Sequence, residues 1–397
     1  MTYDANLIHK NYNFSEMYKK LILYLSFSLY LIASNCTVAQ QVTSPDTTVQ
    51  PLADTTEITL LFAGDVMGHM PQINSAFDSS SGTYDFNPVF SPVKPLISGA
   101  DIALANLETT LAGKPFSGYP QFSAPDSLAT ALKNAGFDIL ITANNHCLDR
   151  GKEGLERTIA MLDSFRIPNT GTFIDENART LRYPLIYEAK GFKLAFLNCT
   201  YGTNGIPVTK PNVVNFIDTI QLKQDITKAK QANVDYTIVT IHWGIEYERT
   251  ENAGQRKIAA FLLKNGADMV IGSHPHVVQP VVKYYTSADS SNYNIVVYSL
   301  GNYVSNQRDR YKDGGIMFHA TLQKTDKTRL KDVSYSPVWV FKGNVNNKLQ
   351  YRIVPAGTDT LNYPDYFDSE SKIKAQQFFT DTQELLKNIP VKPSDSL

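Results

Sequence analysis

Residues 58–70 read ITLLFAGDVMGHM, and this stretch decides the fold. The short apolar run at 58–63 is typical of a buried strand, and it leads directly into Gly64 and Asp65. Open α/β sheets bind their ligands beyond the carboxyl ends of their strands. Asp65 is therefore a candidate functional carboxylate, although a lone Gly-Asp pair after a strand is more often a turn or a helix cap.

Four more segments repeat this strand pattern, and helical segments alternate with them. The predicted strands are Ile58–Ala63, Ile102–Ala105, Ile139–Thr142, Tyr236–Ile241 and Met269–Ile271. The predicted helices, which show apolar residues at helical spacing, are Ser127–Ala135, Gly154–Phe165, Thr219–Gln231 and Gln255–Asn265. Such alternation indicates an α/β fold in which helices cover the sheets.

The second half of the chain adds antiparallel strands to this pattern. Residues 184–198 predict a hairpin that turns at Lys190 and Gly191. Three further antiparallel strands are predicted at Gly315–Gln323, Ser334–Phe341 and Gln350–Val354, and a helical tail follows from about Glu370.

The composition is that of a globular protein. Of the 397 residues, 43% are hydrophobic and 19% are charged, which excludes a disordered or collagenous chain. The 37 basic and 38 acidic residues give a net charge of −1, whereas a general nucleic-acid binder needs a basic surplus to neutralise phosphates. The three cysteines are too few for a disulfide framework.

The amino-terminal segment predicts export. Lys19 and Lys20 precede the apolar run Leu21–Ser34, which is short for a membrane span but fits the apolar core of a secretory signal. Met17, just before the two lysines, is a candidate for the true start of translation. We therefore expect an exported protein of the periplasm or cell envelope.

The processing of this segment has three readings. The small residues of Thr37-Val38-Ala39 favour signal cleavage before Gln40. Cys36 allows a lipoprotein signal instead, although the preceding asparagine is unusual. An uncleaved membrane anchor is the third interpretation. Cleavage after Ala39 is the favoured one.

Polar side chains that can bind metal follow each of the other four predicted strands. They are Asn106 and Glu108, then Asn144, Asn145 and His146, then His242, and finally His274 and His276. Each group alone has an ordinary explanation as a turn or a chance pair. The coincidence of all five strand ends points to a functional site. Carboxylate, amide and imidazole groups together suit Mn, Fe or Zn.

Six motifs together resemble the CapA family of capsule synthesis proteins, which is associated with poly-gamma-glutamate. They are Gly64-Asp65-Val66-Met67, Asn106-Leu107-Glu108, Asn144-Asn145-His146 with Asp149 and Gly151, His242-Trp243-Gly244 with Glu246, Gly272-Ser273-His274-Pro275-His276 with Gln279, and Ser299-Leu300-Gly301-Asn302. The resemblance covers about residues 57–310. The family is similar in turn to calcineurin-like metallophosphoesterases, which implies a four-layer sandwich of two mixed β-sheets flanked by helices.

The domain organisation follows from these observations. Residues 1–39 are expected to be a signal segment, and the polar residues 40–56 are expected to be a linker. Residues 57–325 are expected to form the CapA-like metallophosphoesterase domain. Residues 326–397 are expected to form a C-terminal β extension and helical tail.

The resemblance implies a role for each candidate residue. The implied metal ligands are Asp65, Glu108, Asn145, His242, His274 and His276, and Glu108 would bridge two ions. His146 would protonate the leaving group or steady the transition state, with Asp149 as its catalytic partner. The expected substrate contacts are Asn144, Glu246 and Asn302. Asp149 and Glu246 also stand where acceptors would orient imidazole rings, although charged residues near loops can equally be solvated. The implied cofactor is one or two divalent transition-metal ions, Mn, Fe or Zn, which activate water for in-line attack on a phosphoryl group.

Two departures from the phosphoesterase pattern concern the first metal position. Met67 stands where that pattern has a histidine, and the bridging residue is Glu108 where the pattern has aspartate. The first ion would therefore have Asp65, Glu108 and His276, one ligand short. His69 could compensate, but a solvated loop histidine is the more usual case.

Three functions are compatible with these residues. The first is an exported metal-dependent hydrolase that acts on a phosphoester or on poly-gamma-glutamate or another anionic envelope polymer. The second is a non-hydrolytic, metal-binding component that holds or exports such a polymer. The third is an amidase that cuts gamma-glutamyl bonds, since activated water also attacks carbonyl groups. The expected partners are the anionic polymer or phosphoester and membrane-bound capsule synthesis machinery, and no nucleic acid.

Overall fold

The apolar runs of the sequence form strands in a computed structural model, which describes residues 55–286, 292–357 and 363–391. The strands are β1 Thr56–Val66, β2 Phe77–Asp78, β3 Thr83–Tyr84, β4 Ile102–Leu107, β5 Ile139–Ile141, β6 Asn169–Thr170, β7 Thr172–Phe173, β8 Leu185–Ala189, β9 Phe192–Thr200, β10 Val213–Val214, β11 Tyr236–His242, β12 Met269–Ser273, β13 Val281–Tyr285, β14 Tyr293–Val297, β15 Asn302–Val304, β16 Gly314–Lys324, β17 Thr328–Val345 and β18 Lys348–Pro355. The helices are α1 Met70–Ala76, α2 Asn87–Phe90, α3 Lys94–Ser98, α4 Ser127–Ala135, α5 Gly151–Ser164, α6 Glu176–Arg182, α7 Thr219–Gln231, α8 Ala253–Asn265 and α9 Ser369–Leu385.

Two mixed sheets contain most of these strands. The large sheet has the order β18-β17-β16-β1-β4-β5-β6, with β15 also paired to β1. Within it, β1, β4, β5 and β6 are parallel, whereas β16, β17 and β18 are antiparallel. The small sheet has the order β13-β14-β12-β11-β9-β8, and its two edge strands are the antiparallel ones.

The alternation of side chains along β1 shows how the layers pack. Ile58, Leu60 and Phe62 join the core that also contains residues of the small sheet, such as Ile238 of β11. Leu61 and Ala63 face the opposite side, where α2, α3 and α4 cover the large sheet. The outer face of the small sheet is covered in the same way by α7 and α8. The result is a helix–sheet–sheet–helix sandwich, which confirms the predicted fold class.

The predicted elements are confirmed with small shifts at their ends. All five predicted strands and all four predicted helices form, and α5 begins at Gly151 where Gly154 was predicted. The hairpin turns at Lys190 and Gly191 between β8 and β9. The predicted domain boundary at 325/326 falls between β16 and β17, which pair along both strands within the large sheet.

The predicted signal segment and nearly all of the predicted linker lie outside the described residues. Within the described part of the chain, no helix combines the length and the apolar character that crossing a membrane requires.

Candidate metal centre

The carboxyl ends of strands from both sheets meet at one place in the sandwich. β1, β4 and β5 bring residues of the large sheet, and β11 and β12 bring residues of the small sheet. The candidate residues found there are almost completely buried: Asp65, Glu108, Asn144, Asn145, His146, Asp149, His242, His274, His276 and Asn302. The two sheets must therefore pack before this site exists.

Gly64 explains how Asp65 comes to lie at this meeting point. A Cβ atom at Gly64 would be 1.9 Å from the carbonyl oxygen of Gly301, so a larger residue would force these two backbone segments apart. The N–H of Asp65 donates to that same carbonyl oxygen over 3.1 Å. The pairing of β1 with β4 shifts register between Ala63 and Asp65, and such bulges re-aim a side chain.

The first ligand cluster consists of Asp65, Glu108 and His276. Each residue offers one ligand atom, and these atoms lie within 4.8 Å of one another. Nδ1 of His276 is 3.1 Å from Oδ2 of Asp65, and Nε2 of the same ring is 3.8 Å from Oε1 of Glu108. This is the trio that the sequence assigns to the first ion.

The second ligand cluster consists of Glu108, His242 and His274, whose ligand atoms also lie within 4.8 Å of one another. Nε2 of His242 is 3.5 Å from Oε1 of Glu108 and 2.8 Å from the amide oxygen of Asn145. Glu108 therefore belongs to both clusters, as a bridging carboxylate must, and Asn145 lies where a fourth ligand of the second cluster is expected.

The turn that carries the two later histidines is strained. His274 has a φ of 99° and His276 a φ of 58°, in the left-handed region that residues other than glycine seldom adopt. This backbone places one imidazole in each cluster. Strain of this kind concentrates at functional sites, where the surrounding structure holds it in place.

Buried polar atoms without partners indicate that the clusters fit a cation. Oε1 of Glu108 and Nδ1 of His274 are buried and have no hydrogen-bond partner among the described residues. Burial and then the neighbouring Asp65 raise the pKa of Glu108 well above its ordinary value. Burial lowers the pKa of His242 well below its ordinary value and that of His274 to about 3, so both rings are neutral. Neutral imidazole is the form that binds metal.

His146 and Asp149 form a buried pair beside the clusters. Nδ1 of His146 is 2.7 Å from Oδ2 of Asp149, and a carboxylate only accepts, so Nδ1 carries the proton. The backbone N–H of Phe122 donates to the same oxygen over 2.7 Å, and the Phe122 ring packs edge-on against His146 at 4.7 Å. These contacts fix the orientation of the ring through Nδ1 and its edge, and Nε2 takes part in neither of them.

Two of the three predicted substrate contacts, Asn144 and Glu246, differ in burial and in hydrogen bonding. The amide of Asn144 is fully engaged: it donates to Asn106 and to the carbonyl oxygen of Leu107, and it accepts from the N–H of His146. This geometry gives Asn144 a positioning role in place of the expected contact with substrate. Glu246 is half-buried at the rim, where its charge acts on Glu108.

His69 is half-buried and belongs to neither ligand cluster, so the structure gives it packing contacts in place of the expected solvated loop position. It caps α1, its N–H donates to Gln72 over 3.0 Å, and its ring packs edge-on against Phe122 at 5.0 Å. Burial lowers its pKa to about 4. Met67 is buried, and the first cluster has three ligands from histidine, aspartate and glutamate.

Several residues at the site were not assigned a role from sequence. Asn106 donates to Asp65 over 2.8 Å, and the hydroxyl of Ser273 lies 3.0 Å from Nδ1 of His242, so both hold ligands in place. Both stand inside the quoted motifs, which is the signal that could have found them. Tyr201 and Tyr247 come from loops, with rings 4.5 Å from His274 and 6.1 Å from His276, and neither position carried such a signal.

Comparisons with known proteins agree with the motifs. The family model described as "Bacterial capsule synthesis protein PGA_cap" matches residues 59–307. The chain is 30% identical to the capsule biosynthesis protein CapA of Bacillus anthracis over 276 residues, 66% of this chain and 63% of that protein. It is 27% identical to the PGA biosynthesis protein CapA of Bacillus subtilis over 254 residues, 62% of this chain and 63% of that protein. Each match thus spans less than two thirds of the relative.

Among solved structures, the chain is similar to a calcineurin-like phosphoesterase from Bacillus subtilis. The likeness covers 84% of this chain and 100% of that one, at 15% identity and a TM-score of 0.45. At this level the likeness carries no information on substrate or reaction.

Proposed function

This chain belongs to the PGA_cap family of bacterial capsule synthesis proteins, and we propose that it is a metal-dependent hydrolase of the cell envelope. Its substrate is poly-gamma-glutamate, another anionic envelope polymer or a phosphoester. One observation carries the proposal: two ligand clusters share Glu108, whose Oε1 is buried without a hydrogen-bond partner in the described part of the chain. Two ions held about 3.5–4 Å apart by a shared ligand are typical of hydrolytic centres.

The ligand atoms support this assignment chemically. A divalent transition-metal ion bound here would act as a Lewis acid and make water nucleophilic near neutral pH. Oxygen and nitrogen donors of this kind suit Mn, Fe or Zn. Asn106 and Ser273 keep the carboxylate of Asp65 and the ring of His242 in the orientation that binding requires.

The pair of His146 and Asp149 supports turnover rather than binding alone. Asp149 holds the Nδ1 proton of His146, so Nε2 is the atom that exchanges a proton with the substrate. In its doubly protonated form the imidazole can donate the proton on Nε2 to the departing oxygen or nitrogen, while the proton on Nδ1 stays with Asp149. A site that only stored a metal would have no need of such a pair.

A second candidate function is supported by the first cluster. With Met67 buried at the position of the missing histidine, this cluster has one ligand fewer than the phosphoesterase pattern supplies, so it would hold its ion more weakly. In this alternative the protein binds metal and holds or exports a capsule polymer without cutting it.

One experiment separates the two functions. The purified full chain is loaded with Mn²⁺ or Zn²⁺, its metal content is measured, and it is assayed on phosphomonoester, phosphodiester and gamma-glutamyl substrates. Turnover by the parent that disappears in Glu108→Gln supports the hydrolase, and the substrate that the parent cuts identifies the bond. A metal-loaded protein that binds poly-gamma-glutamate but turns over no substrate supports the holding function.

We also propose export, because Lys19 and Lys20 precede the apolar run Leu21–Ser34. Export would place the protein beside membrane-bound capsule synthesis machinery. Mass spectrometry of the mature protein is expected to find a new amino terminus at Gln40, and a lipid on Cys36 would identify the lipoprotein route. A cytoplasmic protein that retains residues 21–34 would contradict export.

A further inference from the structure

Asn302 lies beside the first ligand cluster. It begins β15, and its Cα is the register partner of Asp65 in the parallel pairing of β15 with β1. Partner residues on neighbouring strands project to the same side of a sheet. The side chain of Asn302 is completely buried, so it cannot exchange hydrogen bonds with bulk solvent.

The hydrogen bonds of Asn302 identify which amide atom is oxygen. Nδ2 donates over 2.8 Å to Oε1 of Gln307 and over 2.8 Å to the backbone carbonyl oxygen of Lys312. A carbonyl oxygen only accepts, so a flipped amide would set two acceptors against each other. Oδ1 is therefore the remaining atom, and it is buried without a hydrogen-bond partner among the residues that the structure describes.

An unpartnered buried oxygen next to an incomplete ligand set suggests what binds it. Leaving a buried acceptor unsatisfied costs free energy, and native structures seldom do so. The first cluster lacks one ligand, and an amide oxygen is a hard donor that suits Mn²⁺ and similar ions. We propose that Oδ1 of Asn302 is the fourth protein ligand of the ion in the first cluster. This inference rests on the proposed metal centre.

The same amide would couple metal binding to the rim of the site. Nδ2 of Asn302 bonds to both Gln307 and Lys312, and both of these residues contact Tyr247. Nε2 of Gln307 lies 3.5 Å from the Tyr247 hydroxyl, and Nζ of Lys312 lies 4.4 Å from its ring. The ring of Tyr247 in turn lies 6.1 Å from that of His276. Binding the first ion would therefore also hold the 305–313 segment and Tyr247 in place.

The test measures Mn²⁺ binding to the full chain by calorimetry and by electron paramagnetic resonance, which detects a coupled pair of ions. The parent is expected to bind two ions, and the ion in the first cluster is expected to bind more weakly than the ion in the second cluster. Asn302→Ala is expected to weaken only that first ion, by at least about 10-fold, and to abolish the coupled signal. Gln307→Ala is the matched control, because it removes one hydrogen bond of Asn302 Nδ2 and leaves Oδ1 of Asn302 intact. This variant is expected to bind both ions.

Asn302→Asp is the second variant, since it keeps an oxygen at the ligand position and loses the Nδ2 donor. It is expected to retain both ions. If Asn302→Ala binds the first ion as tightly as the parent, the proposal is wrong while the metal centre stands. If Asn302→Ala and Gln307→Ala weaken it equally, the amide acts only through the loop and the proposal is also wrong. A parent that binds no Mn²⁺ would instead overturn the metal centre itself.

Discussion

The two ligand clusters share Glu108 but differ in how completely they can surround an ion. The second cluster adds two neutral imidazoles, His242 and His274, and the amide of Asn145. The first cluster adds Asp65 and His276, which already contact each other at 3.1 Å, and it has Met67 where the phosphoesterase pattern has a histidine. The difference predicts that one bridging residue joins a tight site to an exchangeable one.

The clusters also draw on the two sheets unequally. The large sheet supplies the carboxylates, Asp65 after β1 and Glu108 after β4, whereas the small sheet supplies all three imidazoles. Each cluster therefore combines charged oxygen from one sheet with neutral nitrogen from the other. Neither cluster can form in a chain whose sheets have not packed.

The largest effect is expected at the shared residue. Glu108→Gln removes the bridging charge from both clusters, so we expect loss of both ions and turnover reduced to background. Metal content and turnover of the purified variant measure this. A Glu108→Gln variant that keeps two ions would show that Glu108 does not bridge. His319→Asn changes a buried residue in β16 and is the folding control, and it is expected to keep both ions.

The next effect separates catalysis from binding. His146→Ala removes the proton donor and leaves every cluster residue in place, so we expect turnover to fall about 10²–10⁴-fold at unchanged metal content. Melting temperature, metal content and turnover are measured on the same sample. Joint loss of all three would contradict the catalytic role and make His146 a structural residue.

The third pair of variants compares the clusters directly. His242→Ala is expected to lose the tightly held ion, whereas His276→Ala is expected to lose only the exchangeable one, each with about a 10–100-fold or greater drop in affinity. Titration with Mn²⁺ after chelation gives both constants. Identical losses in the two variants would mean that the clusters act as one site.

The smallest effect concerns the metal-free protein and pH. Burial lowers the pKa of His274 to about 3 in the folded state, whereas an unfolded histidine titrates near about 6.5. Between these values the unfolded chain binds more protons, so stability is present above pH 6.5 and is lost as pH falls towards 3. One such group changes the unfolding equilibrium about tenfold per pH unit.

Urea unfolding of the metal-free parent between pH 7 and 4 measures this dependence. His274→Asn is expected to reduce the slope of stability against pH, because the variant has no imidazole to titrate at that position, while His242 and His69 still contribute. Parallel curves for parent and variant would contradict the assignment of the pH dependence to His274. Glu108 acts with the opposite sign, since its raised pKa gives stability below pH 4.5 that is lost as pH rises.

Local sequence patterns predicted the fold well. The run at 58–63 and its four counterparts became buried parallel strands, and α4 and α7 begin and end at the predicted residues. Strand periodicity and helical spacing depend on neighbours in sequence, so a single chain carries them. The motifs at strand ends also placed the six predicted ligands together, because carboxyl ends of parallel strands share one edge.

Contacts between distant residues were beyond that reasoning. His69 was expected in solvent, but its ring packs against Phe122, fifty-three positions away, and its N–H is taken by Gln72. Asn144 and Asn302 were expected to touch substrate, yet their amides bond to backbone brought near by the packed sheets. Such partners depend on register and sheet packing, which no local pattern encodes.

The most direct test of the account is the position of bound metal. Crystals of the full chain grown with Mn²⁺ are expected to show two anomalous peaks, one in each cluster, about 3.5–4 Å apart on either side of Glu108. The peak in the first cluster is expected to have the lower occupancy. The absence of a peak in both clusters at saturating Mn²⁺ would contradict the account.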